Sequence, residues 1–160
     1  KDFGLVPGII EINLIALIDA STTKKQVIDG CIPAAMTYGA AAVLAGDLLL
    51  CSAMVAVDAS GAIEGIRRGH GVPYFGSGAR AQMGQIARDL KTVCEAGGTT
   101  IDNIVRIHQF HTDLAEFSAM SRSWQEALGG APIPFTAVHV PAPMPVPACS
   151  VMVDPWIYAP

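Results

Sequence analysis

AQMGQIARDLKTVCEAGG, residues 81–98, and IDNIVRIHQFHTDLAEF, residues 101–117, decide the fold. In the first stretch Met83, Ile86, Ala87, Leu90, Val93 and Cys94 recur at helical spacing, which predicts a helix over 79–96 with one apolar face. Gly97-Gly98 ends it. The second stretch changes period: IVRIHQF, 104–110, has the β-branched content of a strand. Asp113 and Glu116 then have the spacing of a capping box opening a second helix. Leu114, Phe117, Met120, Trp124 and Leu128 would line that helix's buried face, and Gly129-Gly130 would end it.

Working outward, AAAVLAGDLLLCSAMVAV, 40–57, reads as two strands around a Gly46-Asp47 turn. GIIEINLIAL, 8–17, is apolar and β-branched enough for a further strand, and 18–37 reads as a polar linker running into a loop. Residues 58–78 hold six glycines and read as loop. Two strands finish the chain, 135–140 and roughly 149–159, joined by the stiff, extended PAPMPVP segment at 141–147. In the first of them alternation puts Phe135, Ala137 and His139 on one side and Thr136, Val138 and Val140 on the other. The order β-β-α-β-α-β-β is that of an α+β domain, a mixed sheet with two helices packed on one face.

At 160 residues the chain suits one domain with a sizeable core. Hydrophobic residues reach 51% and charged ones only 15%, a composition that favours burying some surface in an oligomer. A net charge of −4 without a basic stripe gives no basis for nucleic-acid binding. Glu11 and Asp47 break the longest apolar runs, so none spans a membrane, and no targeting segment is evident. Cys31, Cys51, Cys94 and Cys149 form no CxxC pair and read as reduced and mostly buried, which places the chain in the cytoplasm.

The order of elements, with GDLLLCSAM, the Gln82 and Gln85 of the first helix, its Glu95-Ala96-Gly97 end, and Asp113-Leu114-Ala115-Glu116-Phe117, resembles the Rid family, also called YjgF-like or reactive-intermediate deaminases, from about Tyr38 to Ala159. The resemblance implies a chorismate-mutase-like fold, a homotrimer with pockets between subunits, and hydrolysis of imines or enamines with release of ammonia. It implies no cofactor and no metal. It divides the chain into a strand-like segment at 1–17, a linker or loop at 18–37 and a Rid-like domain at 38–160. VPGIIEINLIAL itself resembles the last strand of such a domain, with Glu11 at the family's glutamate position. This chain would then begin at the end of an upstream Rid domain, giving a pseudo-symmetric assembly; an added edge strand is the alternative.

The resemblance also supplies candidate site residues. Tyr38 matches the tyrosine before the hairpin, and Ser52-Ala53-Met54 stands where the family has Ser-Gly-Gln. Phe135 stands where the deaminating branch has an arginine that grips the substrate carboxylate, a contact a phenyl ring cannot make. Phe135, Ala137 and His139 would form the cleft face. Depending on alignment, Asp154 or Met152 occupies the place of the family glutamate that orients a water. Asp154 and His139 are thus the catalytic candidates, and Tyr38, Ser52, Ala53, Phe135 and Ala137 the substrate-binding ones. A non-catalytic Rid domain, binding a metabolite or completing an oligomer, is the second reading, and a ribonuclease or translation inhibitor is a third that the acidic balance opposes.

Other residues have plainer readings. His108 and His111 have HxxH spacing but would face opposite sides of a strand, without a third ligand. Cys51 has no cation near it in sequence to make a thiolate. Arg67-Arg68-Gly69-His70 lies in the long loop and reads as solvated, or as a source of positive charge over the cleft.

Overall fold

The computed structural model describes residues 14–18, 20–33, 39–63, 77–130 and 132–160. Its strands are β1 (Lys25–Ile28), β2 (Ala42–Ala45), β3 (Leu48–Cys51), β4 (Val57–Asp58), β5 (Gly61–Ala62), β6 (Ile104–His111), β7 (Phe135–His139) and β8 (Val151–Tyr158); its helices are α1 (Gly78–Ala96) and α2 (Phe117–Ala127). Six strands form a sheet in the order β1-β2-β3-β8-β6-β7, and β4 and β5 pair separately. The pairs are antiparallel except β6 with β7, which run parallel. This mixed sheet with two helices is the α+β architecture expected from the sequence.

The β2–β3 hairpin turns at Gly46-Asp47, and Gly46 takes φ +65°, a left-handed conformation that favours glycine. Helix α1 begins at Ser77, whose hydroxyl accepts from the Arg80 N–H, and ends at Gly97. Gly97 matters there for space: a Cβ would stand 2.8 Å from Leu49 Cδ2, so any other residue would force that buried side chain to shift where the helix end presses onto β3. All six apolar positions read from the helical period of α1 are buried. Met83, Ile86, Leu90 and Val93 pack with Leu49, Ile107, Val153 and Ile157 of the sheet. Each such burial stabilises the fold by roughly 1.5–3 kcal/mol.

Three local expectations change. The stretch at 18–37 is not simply linker: Lys25–Ile28 is an edge strand paired with β2. Only Ile28 of it is buried, so its sequence carries no apolar alternation. Residues 14–17 form no strand, and residues 8–13 of the expected strand lie outside the described residues. The expected loop at 58–78 contributes Asp58 and β5 to a small hairpin and Gly78 to α1.

The capping box is also reassigned. No side chain caps α2. The Asp113 carboxylate accepts from Ala115 N–H at 2.8 Å, while Glu116 accepts from Ser77 Oγ at 2.8 Å and Ala79 N–H at 3.2 Å, at the start of α1. Leu114 is 40% exposed and lies off the buried face, where Met120, Trp124 and Leu128 are buried as expected.

Among the described residues, the sheet has one face covered by the helices and one largely open. Gln82 of α1 secures the covered side: its Oε1 accepts from the N–H groups of Ser150 and Val151 at 2.8 and 3.2 Å, and its Nε2 donates to Ser150 Oγ at 3.0 Å. The open face carries Leu48, Leu50, Met152, Asp154, Trp156 and Tyr158, with Arg106, His108 and Phe110 beside them. One end of it is covered by a small cluster of Val55, Val57, Met144 and Cys149 packed with Phe110 and Met152.

Candidate functional site

The candidate residues fall into two groups: Ser52, Ala53 and Asp154 near the end of β3, with Asp154 on the open face, and Phe135, Ala137 and His139 on the helix side of the far edge strand. Between the pairs Leu50–Trp156 and Met54–Val153, the segment Cys51–Ala53 bulges past Asp154 and Pro155. Ser52, Ala53 and Asp154 therefore lie on neighbouring chain segments. Ser52 Oγ donates to the Ala40 carbonyl at 2.6 Å and its N–H to the Ala41 carbonyl at 3.0 Å, which fixes the chain entering β2.

A small cleft of about 70 Å³ opens at this end of β3. Ser52, Ala53, Met54 and Val55 line one wall, Gly39–Ala41 another, and Asp29, Ile32 and Pro33 a third; Asp89 of α1 closes it. Burial raises the Asp89 carboxyl above the usual range, partly offset by a hydrogen bond from Gln85 and the charge of Arg88. A second hollow lies over the open sheet face, between Ile15–Leu17 and Val43, Ala45 and Leu50, and also reaches Ser52. Tyr38, expected beside the first cleft, and Glu11 lie outside the described residues, as do Arg67, Arg68 and His70.

Asp154 and Met152 are two residues apart on β8 and share the open face, so both alignments of the family glutamate lead to the same side. Asp154 Oδ2 accepts from Arg106 Nη2 at 3.0 Å, each side chain about a third exposed. Arg106 also lies 3.8 Å above the centre of the Trp156 ring, a cation–π contact that holds the guanidinium in place.

Phe135, Ala137 and His139 form the second group. They pair with Ile107, Gln109 and His111 of β6, on the helix side of the edge strand. Their shared face is thus the expected one, but it is not the face of Asp154. The Phe135 ring is 55% exposed and stacks on Phe117 of α2 at 6.1 Å. His139 is exposed. None of the three lines the Ser52 cleft. Within one chain, then, Asp154 and His139 are not brought together.

His108 and His111 do face opposite ways. His108 sits opposite Asp154, and His111 is buried, with Nε2 3.3 Å from Gln109 Oε1 and its ring edge-on to Phe117. Burial lowers the His111 pKa, so the ring is neutral at neutral pH. Among the described residues no group of three or more His, Cys, Asp or Glu is placed to hold a metal. Burial raises the Cys51 thiol far above its usual range, with Cys94 and Asp154 adding to the shift, and pushes Cys94 up to about 12. Neither is a thiolate at neutral pH. Sequence reading missed Asp89, whose position in the middle of α1 gives no sign that it reaches a cleft.

The family model described as Endoribonuclease L-PSP matches residues 30–151. The chain belongs to the Rid family, which that model describes. Among solved structures, RidA from an Antarctic Psychrobacter is 24% identical, with a TM-score of 0.68 over 83% of this chain and 98% of its own. The Rid-family protein YyfA of Yersinia pestis is 20% identical, with a TM-score of 0.70 over 85% of this chain and all of its own. At these identities the likeness shows the fold. A search among curated proteins found no match. Among the described residues, no helix of this Rid-family chain is long and apolar enough to cross a membrane.

Proposed function

We propose that the chain is a Rid-type hydrolase acting on a small imine or enamine, in a cleft completed by a second copy. The observation that carries the reading is the split of the candidate residues. Ser52 and Ala53 line the cleft at one end of β3, Asp154 lies on the neighbouring stretch of β8, and Phe135, Ala137 and His139 sit on an edge strand whose outer side has no partner among the described residues. Docking the edge of one copy against the cleft of another is how the two groups would meet. A homotrimer, or a pseudo-symmetric assembly with a tandem Rid domain, would supply that contact.

In this reading the substrate sits between Ser52 and Phe135, and Asp154 holds a water with the oxygen not engaged by Arg106. The water oxygen adds to the C=N carbon, the C–N bond breaks, and a protonated imine plus water leaves as a carbonyl compound plus ammonium. Asp154 takes the water's proton as the bond forms and returns it to the departing nitrogen. His139 of the docked copy is the second group able to carry that proton.

One observation favours a second reading, a non-catalytic Rid domain that binds a metabolite or completes an oligomer. Arg106 already engages Asp154, and Phe135 is stacked on Phe117 rather than free for a ligand.

Ammonia release from small imines generated in situ tests between the readings, with light scattering reporting the assembly. Turnover by an oligomer is expected; turnover absent across the imine series, or a monomer at micromolar concentration, would sink the hydrolase reading. Phe135→Arg restores a bidentate carboxylate donor, so it should raise turnover of imino acids on the order of tenfold. No gain in a folded variant would mean that Phe135 does not stand in the arginine's place.

A further inference from the structure

The Ser52 cleft carries charge of only one sign among its described lining residues. Asp29 and Asp89 line it, and the remaining lining is Ser52 and apolar or glycine residues. Asp29 is exposed and turned partly onto its own loop, its Oδ1 accepting from Gly30 N–H at 2.8 Å. Asp89 is different. It projects from the middle of α1 and is half-buried. One of its oxygens is held by Gln85 Nε2 at 2.7 Å, and Gln85 is held in turn by Arg88 Nη2 at 2.7 Å. Arg88 thus hydrogen-bonds to Gln85 and is not among the described lining residues of the cleft, although its charge partly offsets the burial of Asp89.

Resting on the reading that this cleft is the substrate site, the geometry points to Asp89 as its specificity residue, selecting a cationic nitrogen compound with a small apolar body and no carboxylate. A half-buried carboxylate has lost part of its hydration, and a cation beside it offsets that loss, whereas an anion adds repulsion. The apolar wall of Ile32, Pro33, Ala41, Met54 and Val55 suits a compact hydrocarbon body. The charge preference also fits the chemistry: a protonated imine is both the cation that Asp89 attracts and the form whose carbon water attacks. With Phe135 in place of an arginine, the described lining of the Ser52 cleft offers an anion no cationic side chain.

Calorimetric titration of the full chain with three probes that share one ring and differ in charge tests this: cyclopentylammonium, cyclopentanol and cyclopentanecarboxylate. The ammonium should bind about tenfold more tightly than the alcohol, and the carboxylate more weakly than either. Asp89→Asn should erase the advantage of the ammonium and leave the alcohol unchanged. Should that variant fail to fold, amide shifts at Gln85, Asp89 and Leu90 in the wild-type protein locate the cation instead. The inference is overturned if the carboxylate binds as well as the ammonium, if Asp89→Asn keeps the preference, if the shifts lie elsewhere, or if no probe binds at millimolar concentration. Ammonia release separates this from the hydrolase reading. Faster hydrolysis of an imine bearing a carboxylate than of its carboxylate-free counterpart upholds the hydrolase and refutes the selectivity. An ammonium preference without turnover of either imine does the reverse.

Discussion

The covered and open faces of the one sheet are built from the same strands and obey different rules. On the covered face Leu49, Ile107, Val153 and Ile157 are fully buried against α1, and the one polar side chain that enters from the helix, Gln82, has all its hydrogen bonds directed at the start of β8. On the open face apolar residues stand beside charged ones, with Asp154, Arg106 and Trp156 in one contact. The first arrangement stabilises a single chain. The second leaves part-exposed apolar area beside an ion pair, an arrangement that suits contact with another molecule. In the proposed reading Asp154 acts from the open face while the α1 core holds the fold, so substitutions at Asp154 and in that core should have separable effects.

The sharpest break in that comparison is Asp154→Asn. If the open face carries the chemistry, this variant should lower kcat roughly 10²–10⁴-fold on a turned-over imine. Its stability should fall by no more than about 1 kcal/mol, because the Arg106 pair is part-exposed and screened. Full activity in Asp154→Asn would move the water to His139. Leu90→Ala is the mirror experiment: it should lower unfolding free energy by about 2–5 kcal/mol in a urea titration, with turnover by the folded fraction unchanged. Gln82→Ala should cost about 2 kcal/mol, since the N–H groups of Ser150 and Val151 lose their acceptor. A loss below a few tenths of that would show that water replaces the amide.

The smallest effect is a pH slope. His111 is buried with its pKa lowered from 6.5, so the unfolded chain takes up a proton that the folded chain refuses. The histidine's contribution is therefore fully present above that value and is lost as pH falls toward and through the folded pKa. Unfolding measured between about pH 7 and 5 should show stability dropping on acidification, and His111→Gln should flatten the curve. An unchanged slope in the variant would assign it to other groups.

What the sequence made legible follows the same division. The helical period of α1 and the β-branched run of β6 are local signals of a buried face, and both were readable to within a residue or two. Lys25–Ile28 was not, because an edge strand with a single buried residue has no alternation to detect. Glu116 has the spacing of a local cap, yet its carboxylate is claimed by Ser77 and Ala79, far off in sequence. The period-two pattern at 135–139 correctly grouped Phe135, Ala137 and His139, but which side of the sheet they join is set by parallel pairing with β6, a tertiary fact. Asp89 was invisible because its reach depends on loops before and after β1–β3 that meet only in the folded chain.

The claim of Glu116 on the first turn of α1 also bears on the order in which the molecule can become whole. Helix α1 is complete in sequence at Ala96, but the carboxylate that receives its Ala79 N–H is synthesised later, after all of β6. A nascent or truncated chain ending before Glu116 would carry α1 with a frayed first turn, while the Leu90 and Val93 end could already fold onto β3. Amide exchange in such a fragment should be fast at Ala79 and slow near Leu90. In the full chain the two should converge, because the second helix locks the first as it arrives.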